Sequence, residues 1–193
     1  MASSLNCNLT LDDGFLLNNT GIGNNSPYST TATNLAEGTH YWNVTCWDNA
    51  SNTNTSETKS FNIFIPPIVN LTKPADNNIS NNPSQTLYFN VSDDTGIENC
   101  SLYLNGEWNT TKTPPQITNN AENNFTITLA EAEYNWSIKC YDNTTQQLEA
   151  NSENWTITID QTPPTPNITT TNYTWFNTSS PSIDFIITDN VAN

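Results

Sequence analysis

The sequence contains very little positive charge. Arginine is absent, and four lysines face 19 aspartates and glutamates, which gives a formal net charge of −15. A surface that binds nucleic acid or an anionic membrane needs a basic stripe, which four scattered lysines cannot form. We therefore expect neither nucleic acid nor an anionic membrane surface as a partner.

Long apolar runs are missing as well. No segment approaches the run of about eighteen apolar residues that a membrane-spanning helix requires, so we expect no membrane span in this chain. The first ten residues, MASSLNCNLT, have neither the basic start nor the apolar centre of a signal peptide. If the protein is secreted, we expect its export signal to lie outside this chain.

The residue patterns of catalysis are also absent. His40 is the only histidine, no serine lies in a G-x-S-x-G elbow, and the six glycines form no phosphate-binding loop. Catalysis needs a poised acid-base pair, an activated nucleophile or an open metal site. His40 has the inward phase of its strand and is expected to pack there. The sequence thus predicts a protein that is not an enzyme and has no cofactor.

Small uncharged polar residues take the place of ions. Asparagine (34), threonine (31) and serine (16) together supply 81 of the 193 residues. The hydrophobic fraction of 34%, with 20 aromatic residues, is still enough for cores in one or two domains of about 100 residues each. We expect a folded chain with a hydrophilic exterior.

The sequence repeats itself with a period of about 95 residues. The segment EGTHYWNVTCWDNAS at Glu37–Ser51 matches EAEYNWSIKCYDNTT at Glu131–Thr145, with an offset of 94. FNIFIPP, from Phe61, matches WTITIDQTPP, from Trp155, and LYFNVSDD, from Leu87, matches IDFIITDN, from Ile183. This similarity indicates repeated structural units rather than a single irregular domain.

The boundaries of the repeat fall at unusual places. Residues 66–160 form one complete unit, residues 1–65 resemble the second part of a unit, and residues 161–193 resemble the first part of another. Reading from the C-terminal TDNVAN into the N-terminal MASSLNC parallels VSDDTGIENC of the complete unit. The two ends are therefore predicted to complete each other.

Each unit shows the two-residue period of half-buried antiparallel strands. In the complete unit the apolar sets are Leu87, Phe89 and Val91; Cys100, Leu102 and Leu104; Phe125, Ile127 and Leu129; Tyr134, Trp136, Ile138 and Cys140; and Trp155, Ile157 and Ile159. Turn signals such as Asn105-Gly106 separate several of these runs. The pattern predicts an all-β fold of tandem sandwiches with about seven strands per unit.

Three further motifs carry a resemblance to a known family. A TPP linker stands at Thr162-Pro163-Pro164, an aspartate pair at Asp93-Asp94, and an aspartate-asparagine pair at Asp142-Asn143 and equivalent positions. With the strand pattern, these resemble the immunoglobulin-like repeats of archaeal and bacterial surface and secreted proteins. The resemblance implies tandem immunoglobulin-like sandwiches. One departure is that the first cysteine of each pair falls on the strand assigned as C, whereas antibody domains bridge strands B and F.

The four cysteines occupy equivalent places in the repeat. Cys7 with Cys46, and Cys100 with Cys140, suggest one disulfide per unit, which would imply an oxidising compartment. Closing a loop of about 40 residues adds about 4 kcal/mol in the chain-entropy model. Buried free thiols remain the alternative, and a zinc site is disfavoured because no cysteine has a close partner in sequence.

Acceptor sites for N-linked glycans are more frequent than composition explains. Asn-X-Ser/Thr sequons number 18, against about 8 expected from composition. They begin at Asn8, Asn18, Asn24, Asn43, Asn49, Asn54, Asn70, Asn78, Asn90, Asn99, Asn109, Asn124, Asn135, Asn143, Asn154, Asn167, Asn172 and Asn177. Several have the outward phase of their strands, which favours covalent glycans. The alternative is that an Asn- and Thr-rich sequence simply solvates an exposed β surface.

Calcium is a weaker candidate ligand. Asp93, Asp94 and Asp142 lie in loops that could meet at one end of a sandwich, and calcium prefers such oxygen ligands. The commoner role for aspartates at these positions is to form turns by bonding nearby backbone N–H groups. The sequence therefore does not decide whether a calcium site is present.

These observations favour a structural subunit of an extracellular filament or cell-surface stalk. Ile183, Phe185 and Ile187 would form strand contacts that complete the N-terminal part of the next copy, and copies would join head to tail. Successive copies could be separate chains or one continuous polypeptide. The alternatives are a surface adhesin or glycan-binding module, for which Trp47, Tyr88, Tyr103 and Tyr141 are outward aromatic candidates, and a spacer within a large secreted enzyme.

Overall fold

The computed structural model describes residues 4–23, 25–172 and 174–190, and the regular elements within them are β-strands. The first strands are β1 (Ser4–Leu11), β2 (Gly14–Gly23), β3 (Gly38–Trp47), β4 (Thr53–Thr55) and β5 (Lys59–Ile63). Next come β6 (Ile68–Lys73), β7 (Asn78–Ser80), β8 (Ser84–Ser92), β9 (Ile97–Leu104), β10 (Glu107–Lys112), β11 (Ala121–Thr128), β12 (Ala132–Asp142), β13 (Glu149–Asn151) and β14 (Trp155–Ile159). The last are β15 (Thr165–Ile168) and β16 (Phe185–Thr188). Within these ranges, no helix has the length and apolarity needed to cross a membrane.

Strands β6–β14 form a two-layer β-sandwich, which we call the middle sandwich. One layer has the order β11-β8-β6, and the other has the order β10-β9-β12-β14-β7, with β13 paired to β12. The all-β sandwich predicted from the two-residue period is thus confirmed. The strands beyond the seven predicted are β7 and β13, each only three residues long.

Alternating side chains build the core of the middle sandwich. Strand β8 contributes Leu87, Phe89 and Val91, which are at most 1% exposed, and they face Trp136 and Ile138 of β12 across the two layers. The apolar runs found in the sequence therefore place one side of each layer in the interior.

Strands β1–β5 form a single layer, which we call the N-terminal sheet. Its order is β2-β1-β3-β4, with β5 paired to β3. This corresponds strand for strand to β10-β9-β12-β13 and β14 of the middle sandwich. Among residues 5–18, 20–23 and 25–65, whose burial the structure describes, only Cys7 and His40 are buried.

Strands β15 and β16 form an antiparallel pair, which we call the C-terminal hairpin. Every residue of both strands is exposed. The assignment of the N-terminal sheet and the C-terminal hairpin to one split unit stays a prediction at this point.

Candidate functional site

One face of the N-terminal sheet is apolar and open. Because side chains alternate along a strand, the pairing of β1 with β3 places Leu9 and Leu11 on the same face as Trp42. Phe61 and Ile63 of β5 extend this face on the other side of β3. Together these side chains line a groove of about 500 Å³. We call this surface the open face.

The equivalent surface of the middle sandwich is fully covered. Trp136 and Ile157 are 0% exposed, whereas their counterparts Trp42 and Ile63 are only half-buried. The difference arises because β6, β8 and β11 cover the first pair, and no second layer of described residues covers the other. The open face is therefore a core surface without its covering layer.

The C-terminal hairpin has the pairing of that missing layer. In the middle sandwich Leu71 of β6 pairs with Phe89 of β8, and in the hairpin Ile168 pairs with Phe185. The next inward pair, Val69 with Val91, corresponds to Pro166 with Ile187. Phe89 is 0% exposed and Phe185 is 64% exposed. The hairpin thus presents an uncovered copy of the ladder formed by β6 and β8.

A third observation concerns the segment 27–34, which corresponds to β11 at the offset of 94. Strand β11 pairs with β8 over eight residue positions. The segment 27–34 forms no strand, although Tyr28 within it and Leu35 directly after it line the groove on the open face. Since a strand needs a hydrogen-bonded neighbour, the lack of a β8 equivalent in the N-terminal sheet accounts for this difference. No sequence signal separates this segment from an ordinary loop.

The structure joins the predicted cysteine pairs, Cys7 with Cys46 and Cys100 with Cys140. Each pair consists of directly opposite residues on neighbouring strands of one sheet, β1 with β3 and β9 with β12. The disulfides therefore cross-link neighbouring strands within a layer, unlike the bridge between layers of antibody domains.

The asparagines of the sequons lie at accessible positions. Of the 18, Asn24 falls outside the described residues, and none of the other 17 is buried. Those that are half-buried are Asn8, Asn43, Asn78, Asn99 and Asn124. Glycan attachment requires an accessible asparagine, and these positions meet that requirement. Accessibility does not by itself show attachment, so glycosylation at these positions stays a prediction.

The outward aromatic residues do not form a free platform. Tyr103 lies beneath the Lys139 ammonium at 5.7 Å, and Tyr88 beneath that of Lys73 at 5.3 Å. Tyr141 donates a hydrogen bond to Glu149 at 2.9 Å. Contacts within the protein therefore occupy three of the four side chains named as candidates for ligand contact.

His40 is a packing residue with an ionic partner. It is 8% exposed and stacks on Phe61 with ring centroids 5.4 Å apart. Its Nδ1 lies 2.5 Å from Asp12 Oδ2, and its Nε2 donates to the Ala36 carbonyl at 2.8 Å. The hydrogen bond to Asp12 raises the pKa of His40, and the same bond lowers the pKa of Asp12. His40 lies on the same face of β3 as Trp42, beside Phe61.

The acidic residues proposed for calcium form turns in adjacent loops. Asp93 Oδ1 accepts hydrogen bonds from the backbone and hydroxyl of Thr95, and Asp142 Oδ1 accepts the same two from Thr144. The Asn143 N–H donates to the Gly96 carbonyl at 3.0 Å, so the two loops touch. Among the described residues, no three His, Cys, Asp or Glu side chains already stand close enough to hold a metal ion.

A fourth carboxylate at this place, Glu37, was not among the calcium candidates named from the sequence. It follows the segment 27–34 and lines a cavity of about 180 Å³ together with Asp93 and Asp94. The sequence signal that could have found it is its repeat partner Glu131, 94 residues later.

Comparisons with known proteins give little further guidance. No protein-family model and no curated protein matches the sequence. The fibronectin(III)-like modules of Clostridium thermocellum CbhA are 17% identical over 82% of this chain and 78% of theirs, with a TM-score of 0.40. The Bacteroides ovatus protein SGBP-B of a mixed-linkage glucan utilization locus, in complex with a mixed-linkage heptasaccharide, is 14% identical over 80% of this chain and 37% of its own, with a TM-score of 0.25. The fold assignment therefore rests on the strand order of this chain.

Proposed function

We propose that the protein is a non-catalytic structural subunit of a heavily N-glycosylated extracellular filament or cell-surface stalk. In this assembly the C-terminal hairpin of one copy covers the open face of the next. The observation that carries the proposal is the pairing of Ile168 with Phe185, which repeats the pairing of Leu71 with Phe89 in the middle sandwich.

Covering the open face would remove apolar side chains from water at both partners. Phe185 and Ile187 are 64% and 58% exposed in the hairpin. Trp42, which lines the groove of the open face, is half-exposed. Burying one such side chain contributes about 1.5–3 kcal/mol, against which the entropy of association must be set. Several burials together are needed to hold two copies.

Strand pairing adds specificity to this contact. In the middle sandwich β8 is hydrogen-bonded to β6 on one side and β11 on the other. Strand β16 has β15 on one side only, among the described residues. Its other edge would pair with the segment 27–34 of the next copy, which would thereby become a strand.

The two contact surfaces differ, and this determines the kind of assembly. The hairpin comes after the middle sandwich in the chain and the open face before it, so each copy offers one surface of each kind. Contacts between unlike surfaces generate a ring or an open fibre. The proline linkers Pro66-Pro67 and Pro163-Pro164 favour an extended arrangement, which supports the fibre.

An oxidising, extracellular location is supported by the two disulfides. Glycan attachment is supported by the accessible sequons. Material from the native source should exceed 21.4 kDa per 193-residue copy by the mass of its glycans, and enzymatic glycan removal should restore that value. The same denaturing measurement separates a continuous polypeptide of several copies from chains of one copy each.

Electron microscopy and sedimentation of the purified 193-residue chain test the assembly. We expect fibres, and we expect Phe185→Asp to abolish them because a charge would enter the covered core. Ile186→Asp is the matched control, since Ile186 has the opposite phase and aligns with Asn90, which is exposed. A monodisperse monomer would contradict the proposal, and saturable glycan binding by that monomer would favour the adhesin alternative.

A further inference from the structure

The junction between the N-terminal sheet and the middle sandwich gathers negative charge. A cavity of about 180 Å³ lies beside the linker residues Ile65 and Pro66, and Glu37, Asp93 and Asp94 line it. Asp142 does not line the cavity, but its charge acts on Glu37, and its loop contacts the loop of Asp93 and Asp94 through the bond from Asn143 to Gly96. Two elements far apart in sequence therefore place carboxylates around one small space, and a third places a carboxylate near it.

Several oxygens at this place have no partner. Both carboxylate oxygens of Glu37 and the Oδ2 atom of Asp142 are shielded from solvent and accept no hydrogen bond of normal geometry from the described residues, although the backbone of Ile65 lies near the Glu37 carboxylate. Asp142 is 0% exposed, and its Oδ1 already accepts from Thr144 and Leu148. A buried carboxylate oxygen without a donor is costly, so native proteins supply a proton or a cation.

The charges at this place have one sign. The carboxylates of Asp93, Asp142 and Asp94 lie near enough to act on the charge of Glu37. Like charges gathered in one space mark a place where a cation would be stabilised.

At the next junction, between the middle sandwich and the C-terminal hairpin, the equivalent glutamate has hydrogen-bond donors. Glu131, the repeat partner of Glu37, accepts hydrogen bonds from Thr162 Oγ1 at 2.8 Å, from the Gln161 N–H at 3.3 Å, and from the Asn190 amide. The repeat aligns Asn190 with Asp94. At the first junction a carboxylate thus replaces an amide donor, and it cannot donate to Glu37.

We propose that this first junction binds one Ca²⁺ ion, with Glu37, Asp93, Asp94 and Asp142 as oxygen ligands. Calcium takes six to eight oxygens in flexible geometry, so backbone carbonyls and water would complete the shell. The described carboxylates surround the cavity without standing at ligand spacing, so the ion must draw them together. Magnesium, which demands a rigid octahedral shell, is disfavoured for the same reason. Binding would tie the N-terminal sheet to the middle sandwich.

Calorimetric titration of calcium chloride into the full chain tests the site. The chain carries Phe185→Asp, so that self-association contributes nothing and the result is independent of the proposed filament. We expect one calcium per chain, a melting temperature raised by about 5 °C or more at saturation, and a much weaker response to magnesium.

Two substitutions sharpen the test. Glu37→Gln and Asp94→Asn should each weaken calcium binding about tenfold or more, because each removes a charged ligand. Asp94→Asn introduces an amide donor like that of Asn190 at the second junction. The stability of the calcium-free chain should therefore be retained in this variant. Glu133→Gln, an exposed change of the same charge on β12, is the control and should bind calcium normally.

Three results would overturn the proposal. The first is an absence of heat and of any change in melting temperature on adding calcium. The second is equal binding by Glu37→Gln and the parent chain. The third is a Glu37→Gln variant that gains stability while neither chain responds to calcium, since a proton would then satisfy the glutamate.

Discussion

The N-terminal sheet and the middle sandwich share their strand order and the position of their disulfide, yet they differ in burial. In the part of the chain that the structure describes, sixteen of the seventeen buried apolar side chains belong to the middle sandwich, and Cys7 is the exception. The same inward pattern therefore produces a core only where a second layer covers it. A single sheet leaves its inward-phase apolar side chains exposed. Such an exposed apolar face is typical of a surface that binds a partner.

Trp136 and Trp42 give the largest expected difference between the two regions. Trp136 is 0% exposed and packs edge-on against Trp155 at 6.0 Å, whereas Trp42 lies half-buried on the open face. Trp136→Ala should lower the free energy of unfolding by about 3–5 kcal/mol, and Trp42→Ala by much less in the unassembled chain. Urea unfolding of both variants in the Phe185→Asp background measures this. Equal losses would mean that the open face is covered within a single chain.

Removing the disulfides should come second in size. Replacing Cys100 and Cys140 by serine should cost the middle sandwich about 2–4 kcal/mol, but its core should keep it folded. The same change at Cys7 and Cys46 should disorder the N-terminal sheet, because little other burial supports it. Hydrogen exchange along β9 and β1 reports on each region separately. Persistent protection of β1 without its disulfide would contradict the comparison.

Asn123 extends the comparison of the two regions to a buried polar side chain. Asn123 is 5% exposed, accepts from the Thr118 N–H, and donates to the carbonyls of Thr118 and Ala121. Asn123→Ala leaves these groups without partners and should cost about 1–3 kcal/mol. Ser29, its repeat counterpart, is exposed, so Ser29→Ala is the control and should change the unfolding free energy very little. Comparable losses in the two variants would show that the segment 27–34 is already packed.

The smallest effect concerns pH and the pair of His40 with Asp12. Because Asp12 raises the pKa of His40 above 6.5, the pair contributes stability below that pH and loses it as pH rises through the raised value. Asp12→Asn should bring the pKa back toward 6.5 and flatten this dependence. Because His40 is the only histidine of the chain, it gives a single imidazole resonance. The pH titration of this resonance measures the pKa of His40 in the parent chain and in Asp12→Asn. An unshifted titration in the parent chain would contradict the pairing.

Much of the fold could be predicted from residue patterns. Alternation along β8, β9, β12 and β14 identified the inward side chains, because a strand buries every second residue. The repeat of 94 residues identified the cysteine partners. The pattern did not identify Ile117, which lies in a loop yet is 4% exposed, or the buried Asn123. Ile117 has no periodic signal because it lies in a loop. Asn123 shares the inward phase of Phe125 and Ile127 in β11, but a search for apolar residues does not find it because it is polar.

The site was predicted only in part. Ile183, Phe185 and Ile187 were named from the repeat. The structure pairs Phe185 and Ile187 with β15, whereas Ile183 lies before β16 and outside this pairing. Glu37 was missed because a single glutamate before a strand resembles any solvated residue. Its acidic surroundings consist of Asp93, Asp94 and Asp142, whose charges act on it although they lie more than fifty residues away in sequence.

The sequence by itself determined the all-β class, the repeat, the cysteine pairs and the inward face of each strand, because these follow from local periodicity and from similarity between segments. The tertiary structure alone decided which inward faces become buried and which carboxylates lose their donors. Both depend on what lies across a gap between layers or loops, and that distance is not encoded in any local pattern.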